Sequence, residues 1–303
     1  DVCFPILDMK TIDNDIKTGQ FKQIYLLYGE EQYLIRQYRD KLKHALAADD
    51  DTMNFSAFSG SDINQKEIID LAETLPFFAD RRLILIEDSG LFQKSAEELA
   101  DYMSSIPETT YFVFVEKEID KKTKMYKQVK KNGSIVEFPR QNETTLSRWI
   151  EGRIRRNGKN ITRDAYALFI RKTGDDMENI DKELEKLLCY TLEKDYIDIS
   201  DVEAITTEQT ENKIFDMIDA VALHQQKKAL DLYYDLLALK EAPMRILFLL
   251  SSQFQRLMIV KSMTNQGFGN KEIALKAGCP EWAVRKYQSQ SRAFSMDQLK
   301  QAI

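Results

Sequence analysis

The stretch QIYLLYGEEQYLIR, residues 23–36, decides the fold. An unbroken apolar run, Ile24 to Tyr28, stops at Gly29, and Leu34, Ile35, Tyr38, Leu42 and Leu46 then recur at helical spacing. A strand that is apolar without alternation suits a parallel sheet covered on both faces. Working outward, RRLILIED (81–88), TTYFVFVE (109–116) and GSIVEF (133–138) repeat that character. NFSAFSG (54–60) reads as a short strand. NQKEIIDLAETL (64–75) reads as a helix, with Ser61 or Asp62 as its cap. Strand and helix in alternation predict a parallel α/β sheet.

A strand ending in glycine before a helix is where a phosphate loop would sit. Such a loop needs GxxxxGK[ST]: backbone N–H groups cradle the phosphates, lysine reaches the β/γ-phosphates and the hydroxyl holds magnesium. In that frame Gly29 is present, but Leu34, Ile35 and Arg36 replace the second glycine, the lysine and the hydroxyl. Glu30 and Glu31 would also repel phosphate at the helix N-terminus. The loop is expected not to bind ATP in the usual way, and no catalytic, cofactor or metal residue is assigned. An ATPase with an atypical loop is the rival reading. Glu87 and Asp88 imitate a magnesium-holding strand end but read, without the lysine, as a solvated one.

The chain has 303 residues, enough for two or three domains. It is 43% hydrophobic and 30% charged, an ordinary globular balance. The net charge of −6 argues against electrostatic binding of nucleic acid by the chain as a whole. No apolar run is long enough to span a bilayer, and DVCFPILD at the start lacks a secretory layout. Cys3, Cys189 and Cys279 are scattered and read as free thiols of a cytoplasmic protein. With only His44 and His224, a histidine-based metal or catalytic cluster is not expected.

After Pro139 the pattern turns helical, in TTLSRWIEGRIRRNGKNI (144–161), TRDAYALFIRKTG (162–174), DMENIDKELEKLLCYTLEK (176–194) and SDVEAITTEQ (200–209). From Asn212 onward it predicts three helices, the middle break marked by Glu241-Ala242-Pro243, then two or three more. The expected division is residues 1–140 (α/β), 141–211 (a small helical domain) and 212–303 (a larger helical domain).

Two stretches are basic. Seven lysines lie between Lys117 and Lys131, and the second stretch carries Arg148, Arg153, Arg155, Arg156, Lys159 and Arg163. A solvated helix face is the plainer reading of the first and stands level with its alternative for the second. The alternative is contact with DNA phosphates or an acidic partner for the first, and with DNA or a neighbouring subunit for the second, with Lys121, Lys122, Lys124, Arg153, Arg155 and Arg156 as candidates. NKEIALKAGCPEWAVRKYQSQ (270–290) resembles a helix-turn-helix, but its second helix opens with EWAV, acidic and apolar where a DNA reader wants polar side chains. It reads as packing. A DNA-binding regulator is the second rival.

ETLPFFADRR (73–82) puts two adjacent phenylalanines on a turn. Together with IYLLYGEEQYLIRQ (24–37), LPFFADRRLILIED (75–88), RWIEGRIRRNGKNIT (148–162) and TGDDMENIDKELEKLLCY (173–190), it makes the chain resemble the delta subunit of the bacterial DNA polymerase III clamp loader. The resemblance runs from about Met9 to the C-terminal end. The family-like register begins at MKTIDNDI, so Met9 is expected as the natural first residue and 1–8 as an extension. At the other end SMDQLKQAI stops where family members usually continue.

The resemblance implies an AAA+-like parallel α/β domain that has lost its P-loop, a small helical lid domain and a helical collar domain for oligomer contacts. It implies a subunit of the DNA polymerase III holoenzyme, without catalysis of its own, that opens the ring-shaped sliding clamp (beta) for loading onto primed DNA during replication. The implied partners are the clamp, the gamma/tau and delta prime subunits, and primed DNA within the assembly, with no membrane. Leu75, Pro76, Phe77 and Phe78 take the position of the family's clamp-binding wedge. Arg81, Arg82 and the preceding helix are expected to widen that contact, with at least one ring exposed.

Overall fold

The computed structural model describes residues 7–47, 51–207, 210–279 and 281–303. Cys3, the first six residues of the expected extension and Pro280 of the helix-turn-helix-like turn lie outside the described residues. The chain divides into two compact units, Asp1–Gln141 and Asn142–Ile303.

The first unit runs α1 (Leu7–Thr18), β1 (Ile24–Gly29), α2 (Gln32–Leu46), β2 (Phe55–Ser59), α3 (Gln65–Glu73), β3 (Arg82–Glu87), α4 (Glu97–Tyr102), β4 (Thr110–Glu116), α5 (Lys124–Asn132) and β5 (Ser134–Phe138). Its five strands are parallel in the order β2-β3-β4-β1-β5. The three inner strands, β1, β3 and β4, are buried nearly end to end, while the edge strands β2 and β5 are partly exposed. That contrast follows from the unbroken apolar runs. Ile24, Leu26, Ile84, Ile86, Phe112 and Phe114 pack on Ile68 of α3, Leu99 of α4, Met103 just after it, and Met125 and Val129 of α5. The alternate residues Tyr25, Leu27, Leu83, Leu85 and Val113, on the other face by the strand period, are buried too, as are Met9, Ile12, Leu34, Ile35 and Tyr38 of α1 and α2. Tyr25 and Tyr38 donate their hydroxyls to Asp15 and Asp13, at 2.7 and 2.9 Å, and so tie α1 down.

Two local readings change. The cap of α3 is Asn64, whose side chain accepts from Lys66 N–H at 3.1 Å, not Ser61 or Asp62. Lys159, grouped with the exposed basic stretch, is buried. Its ammonium donates to the carbonyls of Thr191, Leu192 and Lys194 at 2.5, 3.1 and 2.7 Å. Three carbonyls at a helix C-terminus repay the desolvation of one buried cation.

That lysine belongs to the second unit, whose first part comprises α6 (Glu143–Arg156), β6 (Asn160–Ile161), α7 (Arg163–Thr173), α8 (Met177–Tyr190), β7 (Tyr196–Ile197) and α9 (Ile199–Ile205). Trp149, Ile150, Ile154, Phe169, Ile180, Leu184 and Leu187 are buried in it. The rest comprises α10 (Thr210–Ala222), α11 (Gln226–Ala238), α12 (Pro243–Asn265), α13 (Asn270–Ala277), α14 (Glu281–Ser291) and α15 (Met296–Gln301). These helices share one core, with Ile214, Ile218, Leu236, Ile246, Leu257, Ile273, Val284 and Leu299 at its centre. Pro243 opens α12 at its first turn, where a missing N–H costs nothing. No described helix is long and apolar enough to cross a membrane.

Two predictions concern the sheet. A Cβ on Gly133, between α5 and β5, would stand 2.4 Å from Ile24 O and 2.7 Å from Ile24 Cβ, both in β1. Gly133→Ala is therefore expected to cost ~1–3 kcal/mol, read by urea unfolding followed by circular dichroism. Glu116, at the end of β4, is buried, and that burial pushes its carboxyl above the usual range against opposing hydrogen bonds from Ser89 and Gly90. The folded state then holds the proton more tightly than the unfolded one. This contribution to stability is full below the unfolded value of about 4.3 and is lost as pH rises through the folded value. Unfolding of parent and Glu116→Gln across the acidic range is expected to show the parent losing ground as pH rises, with the difference level thereafter.

Candidate functional site

The link between α3 and β3, residues 74–81, starts from a sequence that cannot continue a helix past Pro76. Phe78 is 96% exposed and Phe77 57%, and Leu75 beside them is exposed too. The two rings meet edge to face with centroids 4.5 Å apart. Phe78 has φ +50°, a left-handed backbone that a bulky residue seldom adopts. Pro76 is half-buried at the base of the turn.

Polar groups from below fix this turn. Asn54, 2% exposed, accepts the Phe77 N–H on Oδ1 at 2.7 Å and donates Nδ2 to Phe77 O at 2.9 Å. Asp51 in turn accepts from Asn54 N and Nδ2, both at 2.8 Å, and Asn54's bonds hold the Asp51 carboxyl below the usual carboxylate range. Arg82, expected on the outer contact surface, is 4% exposed instead. Its guanidinium donates to Thr74 O at 3.0 Å, Met53 O at 3.2 Å and Leu75 O at 3.3 Å. Arg81 lies over the rings of Phe21 and Tyr111, 4.9 and 5.6 Å from their centroids. In the sequence Asn54 reads as the start of a strand, and its one signal is an asparagine between Met53 and Phe55, which strand propensity does not explain.

At the opposite end of the strands, the turn after β1 is shut. Gly29 has φ +135°, and a Cβ there would stand 2.3 Å from Phe138 O. The Glu31 N–H, which a phosphate loop would offer to its ligand, donates to that same carbonyl at 3.0 Å. Leu34 and Ile35, at the second glycine and lysine positions, are buried core residues. Glu87 pairs with Arg39 at 2.9 Å and Asp88 with Lys117 at 3.1 Å. Among the described residues, no group of three or more His, Cys, Asp or Glu stands ready to hold a metal ion.

Most of the basic candidates are held by local partners. Lys121 and Lys122 precede α5, where Lys121 pairs with Glu137 at 3.4 Å. Lys124, at the start of α5, pairs with Asp101 at 2.6 Å. On α6, Arg153 pairs with Asp181 at 2.8 Å and lies over Trp149. Arg155 is exposed and 3.5 Å from Glu151, and Arg156 is exposed with its Nε donating to Gly152 O. In the helix-turn-helix-like segment, Val284 and Tyr287 of the second helix are buried in the core. Apolar side chains stand exposed along α10 to α12, among them Leu223, Tyr234, Met244, Leu247 and Phe248.

Comparison with known proteins accords with this geometry. Residues 25–139 match the family described as DNA polymerase III, delta subunit, and residues 211–303 match the DNA polymerase III delta subunit, C-terminal domain. The DNA polymerase III subunit delta of Bacillus subtilis (strain 168) is 26% identical over 301 residues, 95% of this chain and 86% of the relative. The probable DNA polymerase III subunit delta of Aquifex aeolicus (strain VF5) is 25% identical over 296 residues, 93% of this chain and 83% of the relative. Among solved structures, the Bacillus subtilis DNA clamp loader delta protein (YqeN) superposes with a TM-score of 0.76 at 25% identity, over 96% of this chain and 90% of that one. A five-stranded parallel sheet followed by helices, matched along nearly its whole length, makes this chain a member of the DNA polymerase III delta subunit family of clamp-loader proteins.

Proposed function

We propose that the chain binds and opens the sliding clamp for loading onto primed DNA and leaves ATP hydrolysis to its partners. The observation that carries this reading is the Phe77–Phe78 pair, two exposed rings on a turn whose backbone is fixed from beneath. A monomer gains nothing from rings in water, whereas a partner with a hydrophobic pocket does. Burying each is worth ~1.5–3 kcal/mol, or roughly 3–6 kcal/mol for the pair. Association costs an estimated ~4–15 kcal/mol, so Leu75, Pro76 and surrounding surface must add to the contact. The rings are its hot spot and not the whole of it.

The closed turn at Gly29 supports the non-hydrolysing half of the reading, because the N–H that would cradle phosphate is already given to Phe138 O. Residues 1–140 form the clamp-binding domain, 141–211 the lid and 212–303 the collar. The exposed side chains of α10 to α12 suit contacts of the collar with gamma/tau and delta prime subunits.

Phe77→Ala with Phe78→Ala is expected to weaken the complex with a purified sliding clamp by roughly 10²–10⁴-fold, measured by calorimetry, with circular dichroism unchanged. Unchanged affinity would end the proposal. Titration of the isolated chain with Mg·ATP is expected to release no heat of binding, and a saturable heat would favour the ATPase reading.

A further inference from the structure

We infer that Asn54 and Arg82 are positioning residues for the clamp-binding turn: they set residues 74–80 in their ring-presenting shape before any partner arrives. The inference rests on the clamp-binding reading of Phe77 and Phe78 and adds to it where the affinity comes from.

At the tip of the turn the rings of Phe77 and Phe78 pack edge to face on one another, and Phe78, almost wholly in water, keeps a left-handed backbone. Such a conformation persists where the surroundings over-determine it. Here the determinants are identifiable and hold the backbone that leads into the strained residue. Directly before it, the Asn54 amide bonds both the N–H and the carbonyl of Phe77, as a neighbouring strand would. Further back, the Arg82 fork holds the carbonyls of Thr74 and Leu75 where the chain leaves α3.

The two pins are themselves joined. Arg82 also binds Met53 O, next to Asn54, and the Leu83 N–H donates to Asn54 O at 2.8 Å. Asp51 orients Asn54 from the other side. Both pins are buried and therefore unavailable to touch a partner directly. Four hydrogen bonds from two side chains to a single short turn are more than β3 needs to pair with its neighbours. Their effect is to remove the entropy that an eight-residue link would otherwise lose on docking.

The test uses the full chain. In the free protein, Asn54→Ala is expected to speed amide exchange across 74–80 at least about tenfold, with β1 and β4 as protected as in the parent. Affinity for the purified sliding clamp is expected to fall about tenfold, read by calorimetry. On the Phe77→Ala, Phe78→Ala background the same change is expected to cost nothing further, since no rings remain to be placed. Arg82→Lys, which keeps the charge but loses the fork, is expected to act in the same direction and stands in should Asn54→Ala not fold. Unaltered exchange across 74–80, or an equal loss of affinity with and without the rings, would overturn the inference. Should the variant lacking both rings bind the clamp as the parent does, the clamp reading fails instead, and the exchange arm still decides whether the two side chains set the turn.

Discussion

Burial of the inner strands on both faces is the constraint from which the first unit follows. A strand covered above and below has no solvent side on which to place charge, so β1, β3 and β4 are apolar between their ends. The parallel arrangement then places every strand start on one edge and every strand end on the other. Polar side chains that are buried must find partners at those edges. Arg82 at the start of β3 and Glu116 at the end of β4 do so with backbone groups of adjacent turns. The edges thereby become the places where turns are shaped.

Much of this was legible in the residues. The five strands, the long helices and the break at Pro243 are periodic or punctuated, and periodicity survives folding. Helix α1 was not read, although Met9 and Ile12 sit three apart and both are fully buried. Its polar remainder hid a helix held partly by tyrosine hydroxyls on Asp13 and Asp15, contacts that no local pattern encodes.

The candidate turn divides in the same way. Two phenylalanines beside a proline announce themselves in any sequence. The arginine that follows looks like one more exposed cation, and only the fold reveals that Arg82 turns inward to its own backbone. Asn54 is 23 residues away from Phe77 in the chain, so its role depends on β2 and β3 being neighbours. Lys159 is the same lesson in the second unit: a residue in a basic run, indistinguishable by type from its neighbours, becomes the cap of a helix. Sequence fixes residue type, but the direction a long cationic side chain takes is decided by which carbonyls are left without donors.

The shut turn after β1 and the phenylalanine turn before β3 stand on opposite edges of one sheet, separated by a strand length of roughly 20 Å. A change in the backbone of the first therefore has no mechanical bearing on the second. A scaffold of this kind tolerates remodelling at one end of its strands as long as the hydrophobic filling between survives. The apolar layers thus act as a spacer, lending the same stiffness to two ends that need not change together.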